Sequence, residues 1–233
     1  MILNHSHQFL FIHVPKTAGT TVSTYLTRYA GPADIDLAGA VPEDTWASDT
    51  PNSFASELNA IWHTTWDMEK HARVMRIRKR LGHTLWQRYF KFAFVRNPFA
   101  RTFSGFRFLK RNNRLGPAFE QMTFSEFLAS DWFQTLSVLP IQSQAAFLAP
   151  IAQVDFVGRQ ETLAEDLAFV ASIIERRRIA PVALPVLNQS ADPDGWRTMS
   201  EADRDIIRRV LAQDFETLGY CPETGAPVSA DGP

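Results

Sequence analysis

The sequence predicts an α/β fold: a central parallel sheet flanked by helices, in a single domain. Three observations carry this. The apolar, β-favouring run Phe9 to Val14 is followed at once by a small-residue loop, and Val22 to Tyr29 is compatible with helix. A second run, Tyr89-Phe90-Lys91-Phe92-Ala93-Phe94-Val95, leads through Arg96-Asn97-Pro98 into a helical pattern over 99–111. Further along the chain strand and helix patterns keep alternating, which is the order that builds a parallel sheet with helices on its faces.

The totals agree with one soluble globular domain. A chain of 233 residues can bury a sizeable core, and 45% hydrophobic with 21% charged residues is ordinary globular usage. A net charge of −1 argues against a general nucleic-acid or membrane-surface binder. One cysteine, Cys221, excludes an internal disulfide framework and a Cys-rich zinc site, and fits a reducing compartment. No signal-type segment and no run long enough to span a bilayer is present. We place the domain at residues 1–221, with 222–233 as a mobile tail rich in Pro, Gly, Ala and Ser.

In order, residues 1–7 read as a lead-in to the first strand. Residues 30–56, with Pro32, Pro42 and Pro51, read as a long irregular connection of the kind that faces substrate. Residues 57–88 read mostly as helix. Arg73, Arg76, Arg78, Lys79 and Arg80 give it a dense positive face, either a solvated surface or a rim attracting an anionic acceptor. Phe124–Ala129 is a short helix with Thr123 as its cap, and Ile141–Leu148 another. Gln153–Gly158 is a third strand. Thr162 and Glu165 have capping-box spacing and open a helix to about Arg178. From Ser200 the positions Ile206, Ile207, Val210, Leu211, Phe215 and Leu218 recur at helical spacing and mark a last helix.

The chemistry concentrates after the first strand. A loop entering a helix N-terminus presents backbone N–H groups to an anion, and the helix dipole favours negative charge there. Lys16 adds a full charge, and Thr17, Thr20 and Thr21 add hydroxyls. The order is not that of a Walker A loop, because Lys16 precedes Gly19 and the earlier glycine is absent. Arg96 offers a second cation at the end of the second strand, and ligands of open α/β sheets gather at such ends.

With these residues in view, Phe11-Ile12-His13-Val14-Pro15-Lys16-Thr17-Ala18-Gly19-Thr20-Thr21 resembles the 5′-phosphosulfate loop of sulfotransferases that use PAPS (3′-phosphoadenosine 5′-phosphosulfate). The similarity is to the carbohydrate-type family, which includes heparan sulfate 2-O-sulfotransferases and small bacterial relatives. Phe92 to Ser104 resembles that family's 3′-phosphate motif. Asp155 to Glu161, Leu187-Asn188-Gln189-Ser190 and the final helix are similar to later segments, so the resemblance covers nearly the whole chain.

The resemblance implies a P-loop-like fold and a two-ended PAPS site. Lys16, Thr17, Ala18, Gly19, Thr20 and Thr21 would hold the phosphosulfate, the loop mainly through its backbone. Arg96 and Ser104 would hold the 3′-phosphate, where a planar guanidinium makes paired charge-assisted bonds. Transfer would be an in-line displacement to a hydroxyl acceptor of saccharide type, with PAP as product and Lys16 stabilising the leaving oxygen. No metal is expected. His71, in Lys70-His71 ahead of the helix into the second strand, matches the family's general base best. His83 and His63 are the alternatives, and His13 shapes the site. The acceptor-binding parts transfer least, because the stretch between the two motifs is short and Gln142-Ser143-Gln144 replaces the family's Gln-Thr segment. Against the membrane-anchored eukaryotic enzymes, the chain reads as a bacterial, cytoplasmic protein. Two competing readings are a kinase using ATP and a non-catalytic nucleotide-binding module.

Overall fold

The computed structural model describes residues 1–31, 35–36, 70–112, 115–181, 184 and 194–228. Three sequence readings fall outside these residues: most of the 30–56 connection, the 57–69 part of the long helix, and Leu187 to Ser190. The described residues fall into two compact units. One takes in those within 1–14, 18–94 and 148–188; the other takes in those within 15–17, 95–147 and 189–233.

The first unit is built on a sheet of order β3-β1-β2-β4-β5. Its strands are β1 (Ile2–Asn4), β2 (Phe9–Ile12), β3 (Ile35–Asp36), β4 (Phe90–Val95) and β5 (Phe156–Arg159). β2 and β4 are parallel, with Phe11 opposite Phe92, as the α/β reading requires. β1 pairs antiparallel with both β2 and β3. The lead-in therefore contributes a strand of its own. Its turn back to β2 is held by the Asn4 side chain, which accepts from the His7 N–H at 2.6 Å.

Side chains alternate along a strand, so Phe9 and Phe11 on β2 share a face with Phe92 and Phe94 on β4. Against them pack Val22, Tyr25 and Leu26 from α1 (Gly19–Leu26) and Leu167, Val170 and Ala171 from a later helix of this unit. Leu10, Ile12 and Ala93, which point the other way, are also fully buried. Strands covered on both faces read as unbroken apolar runs, which is why β2 and β4 stood out. One charge enters this core. Lys91 is 6% exposed, and its Nζ lies 2.7 Å from an Asp155 oxygen and 2.7 Å from the Tyr89 carbonyl that accepts its hydrogen bond.

The predicted long helix ahead of β4 is α2 (Val74–Arg88), which kinks at Gly82, where φ is 74°. Val74, Ile77 and Leu81 line its buried face, while Arg73, Arg76, Lys79 and Arg80 are exposed.

The second unit is mostly helical. α3 (Pro98–Arg111) starts directly after β4, and its boundary follows from sequence. Asn97 caps it, accepting from the N–H groups of Phe99 at 2.8 Å and Ala100 at 3.2 Å, and Pro98 takes the first helical position. Beyond it come α4 (Pro117–Gln121), α5 (Phe124–Ala129), α6 (Asp131–Gln134) and α7 (Gln144–Leu148). Phe106, Phe119, Phe127 and Phe133 form the aromatic core here. The cap expected at Thr123 is formed, and it is a capping box with Glu126.

The corresponding box at Thr162 is not formed. α8 (Leu163–Glu175), the later helix of the first unit, opens instead with Thr162 donating to Asp166 at 2.8 Å, and Asp166 also accepts from the Arg159 N–H. The single last helix is two, α9 (Glu201–Val210) and α10 (Ala212–Leu218), broken at Leu211. Of the 222–233 tail, residues up to 228 are described. They turn back on Tyr220, with Cys221 N–H donating to the Ala226 carbonyl at 2.8 Å. Among the described residues no helix is long and apolar enough to cross a membrane.

Candidate active site

β2 ends at Ile12, and the chain then makes two left-handed residues, Lys16 (φ 67°) and Ala18 (φ 63°). Neither is glycine, so each conformation costs free energy that the surroundings must supply, a condition common at ligand-binding turns. Ala18 is the N-cap of α1 and provides no side-chain cap. A left-handed Ala18 followed by a right-handed Gly19 turns successive N–H groups toward one side, the concave arrangement that binds anions. Gly19 is required by close approach. A Cβ there would lie 1.7 Å from Nε2 of His13.

His13 is 4% exposed, stacks on Phe11 and meets His71 edge-on at 4.6 Å between ring centroids. Nδ1 of His71 lies 2.9 Å from the His13 carbonyl oxygen. A carbonyl only accepts, so this bond requires the proton on Nδ1, and a neutral ring would then carry its lone pair on Nε2. The half-buried His71 is thus held through Nδ1 by the backbone just past β2. His83 is exposed beside the kink of α2. His63 lies outside the described residues.

Lys16 and Thr17 belong to the second unit. Thr17 is fully buried, and Nζ of Lys16 lies 4.3 Å from the centroid of the Phe108 ring on α3. An ammonium over an aromatic face is held there by the ring quadrupole. Arg96 follows β4 directly. Because β2 and β4 are neighbours and parallel, Lys16 and Arg96 both come after the carboxyl ends of adjacent strands. Ser104 is half-buried on α3, about two turns from its start.

Sequence reasoning missed the support beneath Arg96. Gln144, fully buried, accepts from the Arg96 N–H at 2.9 Å and donates to the Arg96 carbonyl at 2.8 Å. Gln144 is fixed in turn by Asp214 of α10, also fully buried. Asp214 accepts from Ser143 Oγ at 2.6 Å, Gln144 N–H at 3.0 Å and Ala145 N–H at 2.9 Å. A carboxylate at the start of α7 and an amide clamped on Arg96 make one chain of support for the cation. Gln142-Ser143-Gln144, noted only as a departure from a family pattern, is where it passes.

The second unit thus offers a left-handed lysine and a braced arginine, which suits the binding of anionic groups, and the first offers an uncapped helix start and a histidine held by the backbone. Comparison with known proteins agrees. An uncharacterized protein of Archaeoglobus fulgidus is 31% identical over 121 residues, which is 52% of this chain and 93% of the relative. No solved structure matches the chain. The model of the sulfotransferase family matches residues 1–220. The chain therefore belongs to the sulfotransferase family, whose enzymes transfer a sulfuryl group.

Proposed function

We propose that the protein moves the sulfuryl group of PAPS to the hydroxyl of a saccharide acceptor, and that residues 1–221 act as one catalytic domain. The observation that carries this reading is the loop at Lys16 to Gly19, with its two left-handed residues and uncapped helix start, in a chain of the sulfotransferase family. In this reading Lys16 and Thr17 to Thr21 take the phosphosulfate, and Arg96 with Ser104 takes the 3′-phosphate. The acceptor oxygen forms a bond to sulfur while the bond from sulfur to the 5′-phosphate oxygen breaks. His71 Nε2 removes the hydroxyl proton, and Lys16 stabilises charge on the departing oxygen. The chemistry is then mainly positioning and charge stabilisation, with no step assigned to a metal.

The test is transfer of label from PAPS to a saccharide panel, run with and without a chelator. Lys16→Ala should abolish transfer; near-wild-type turnover would remove the loop from the mechanism. His71→Ala should lower kcat by about 10²- to 10⁴-fold with PAP affinity kept. Full activity in His71→Ala together with loss in His83→Ala would move the base. A chelator-sensitive transfer of phosphate from ATP would favour a kinase. PAP binding with no turnover on any acceptor would favour a binding module.

A further inference from the structure

Arg101 lies on α3, four residues past the N-cap Asn97, and is 0% exposed. Its Nε donates to the Pro15 carbonyl at 2.8 Å, one residue before the left-handed Lys16. Both terminal nitrogens of its guanidinium are buried and have no hydrogen-bond partner among the described residues. Asp214 favours the charge from a distance, but its oxygens are occupied by Ser143, Gln144 and Ala145. Arg96 is close enough to oppose it. Burial pushes the guanidinium down to about 10, with Asp214 opposing and Arg96 adding to the fall, so Arg101 remains a cation near neutral pH.

This is an expensive way to hold one carbonyl. A guanidinium has five N–H donors, and here four go unmade in a dry interior, where unmade bonds to a charged group are the costliest kind. An amide or an ammonium could hold Pro15 with fewer orphaned donors. A group kept at such a cost points to a use for its charge.

We propose that Arg101 is a positioning residue for the donor loop, fixing the Pro15 carbonyl so that Lys16 takes its left-handed turn and adding a permanent positive charge behind the bound anion. The inference rests on the reading that the Lys16 loop receives the phosphosulfate. Arg101 itself is sealed from solvent and acts through Pro15, Lys16 and its field. Low dielectric around the guanidinium lets that field reach the loop with little screening.

Three variants separate the parts. Arg101→Gln keeps a donor for Pro15 and loses the charge; Arg101→Lys keeps both; Arg101→Met keeps neither. PAP affinity by calorimetry should fall about tenfold or more in Arg101→Gln and further in Arg101→Met, and stay within a few-fold of wild type in Arg101→Lys. Melting temperatures should be unchanged or raised in Arg101→Gln and Arg101→Met. Equal PAP affinity in Arg101→Gln and wild type overturns the role of the charge. Melting temperatures that fall together with affinity in all three variants mark Arg101 as a structural residue and overturn the proposal. Amide exchange at Lys16 and Thr17 in the unliganded protein gives an arm free of the donor. Faster exchange in Arg101→Met supports the positioning role even if wild-type protein binds no PAP, a result that would sink only the donor reading. Unchanged exchange overturns it.

Discussion

Gly19→Ala is a substitution whose sign separates two accounts of the loop. Gly19 opens α1 without a positive φ, so backbone conformation does not demand glycine. By propensity alone, alanine in a helix should stabilise by about 0.5–1 kcal/mol. The structure says otherwise. The added Cβ would sit 1.7 Å from Nε2 and 2.1 Å from Cδ2 of His13, where ordinary contact begins at 3.4 Å. The ring has to retreat, yet Phe11 stacks on it at 5.5 Å and His71 abuts it at 4.6 Å. Overpacking of this kind costs about 1–3 kcal/mol. Taking the upper end, because the clash is with a buried ring, and subtracting the helix gain leaves a net loss of about 2 kcal/mol, or about 4–8 °C in melting temperature for a chain of this size. The assay is thermal unfolding of wild type, Gly19→Ala, His13→Ala and the double variant. Removing the ring makes room, so in the His13→Ala background the same Gly19→Ala change should be neutral or stabilising. A rise in melting temperature for Gly19→Ala alone, or simple additivity in the double variant, would refute the packing argument.

Two further outcomes follow from buried polar groups. Gln144→Ala removes both bonds to the Arg96 backbone in a fully buried setting, so stability should drop by about 1–3 kcal/mol and PAP affinity by about tenfold, read by urea unfolding and calorimetry; wild-type affinity would show that Arg96 needs no brace. For Arg101, burial lowers the folded value to about 10, below that of the unfolded chain, so between the two the unfolded chain holds the proton that the folded chain has lost, and stability rises with pH there. Below pH 10 both states are charged and the burial penalty, on the order of 3 kcal/mol, is fully present. The stability advantage of Arg101→Met, less about 1 kcal/mol for the lost bond to Pro15, should therefore be largest at pH 7–9 and shrink above pH 10. An advantage in urea unfolding that grows with pH would contradict the assignment.

What could be read from sequence was what a local pattern writes. β2 and β4 are buried on both faces and so appear as unbroken apolar runs, and their parallel pairing follows from the helices between them. β1 escaped because a three-residue strand ending at Asn4 and followed by His5-Ser6-His7 carries no period, and its pairing is with β2 and β3. The Thr162 box is absent because a short 3-10 turn, Gln160–Thr162, runs into the helix and leaves Thr162 at ψ 35° rather than extended, and its hydroxyl instead donates to Asp166. Capping-box spacing states only that two side chains can reach the helix start, while the backbone conformation at the cap decides whether they meet it.

The candidate site divides along the same line. Lys16, Gly19 and Arg96 sit inside motifs that follow the ends of apolar runs and can be read locally. Arg96-Asn97-Pro98 is legible residue by residue, as strand end, helix cap and first helical position. Gln144 and Asp214 are not, because each acts on a group dozens of positions away in sequence. Asp214 lies 70 residues from the Gln144 N–H it accepts from. A weak signal was nevertheless present. In the stripe Ile207, Leu211, Phe215 and Leu218, Asp214 falls beside the apolar face, where a solvated carboxylate is not expected. The break at Leu211 turns α10 so that this carboxylate points inward, and three donors from Ser143 to Ala145 meet it. A buried carboxylate with every donor supplied by one short segment acts as a fastener for that segment. Since the segment's Gln144 grips both backbone polar groups of Arg96, the helix break at Leu211 belongs, in physical terms, to the positioning of the second cation.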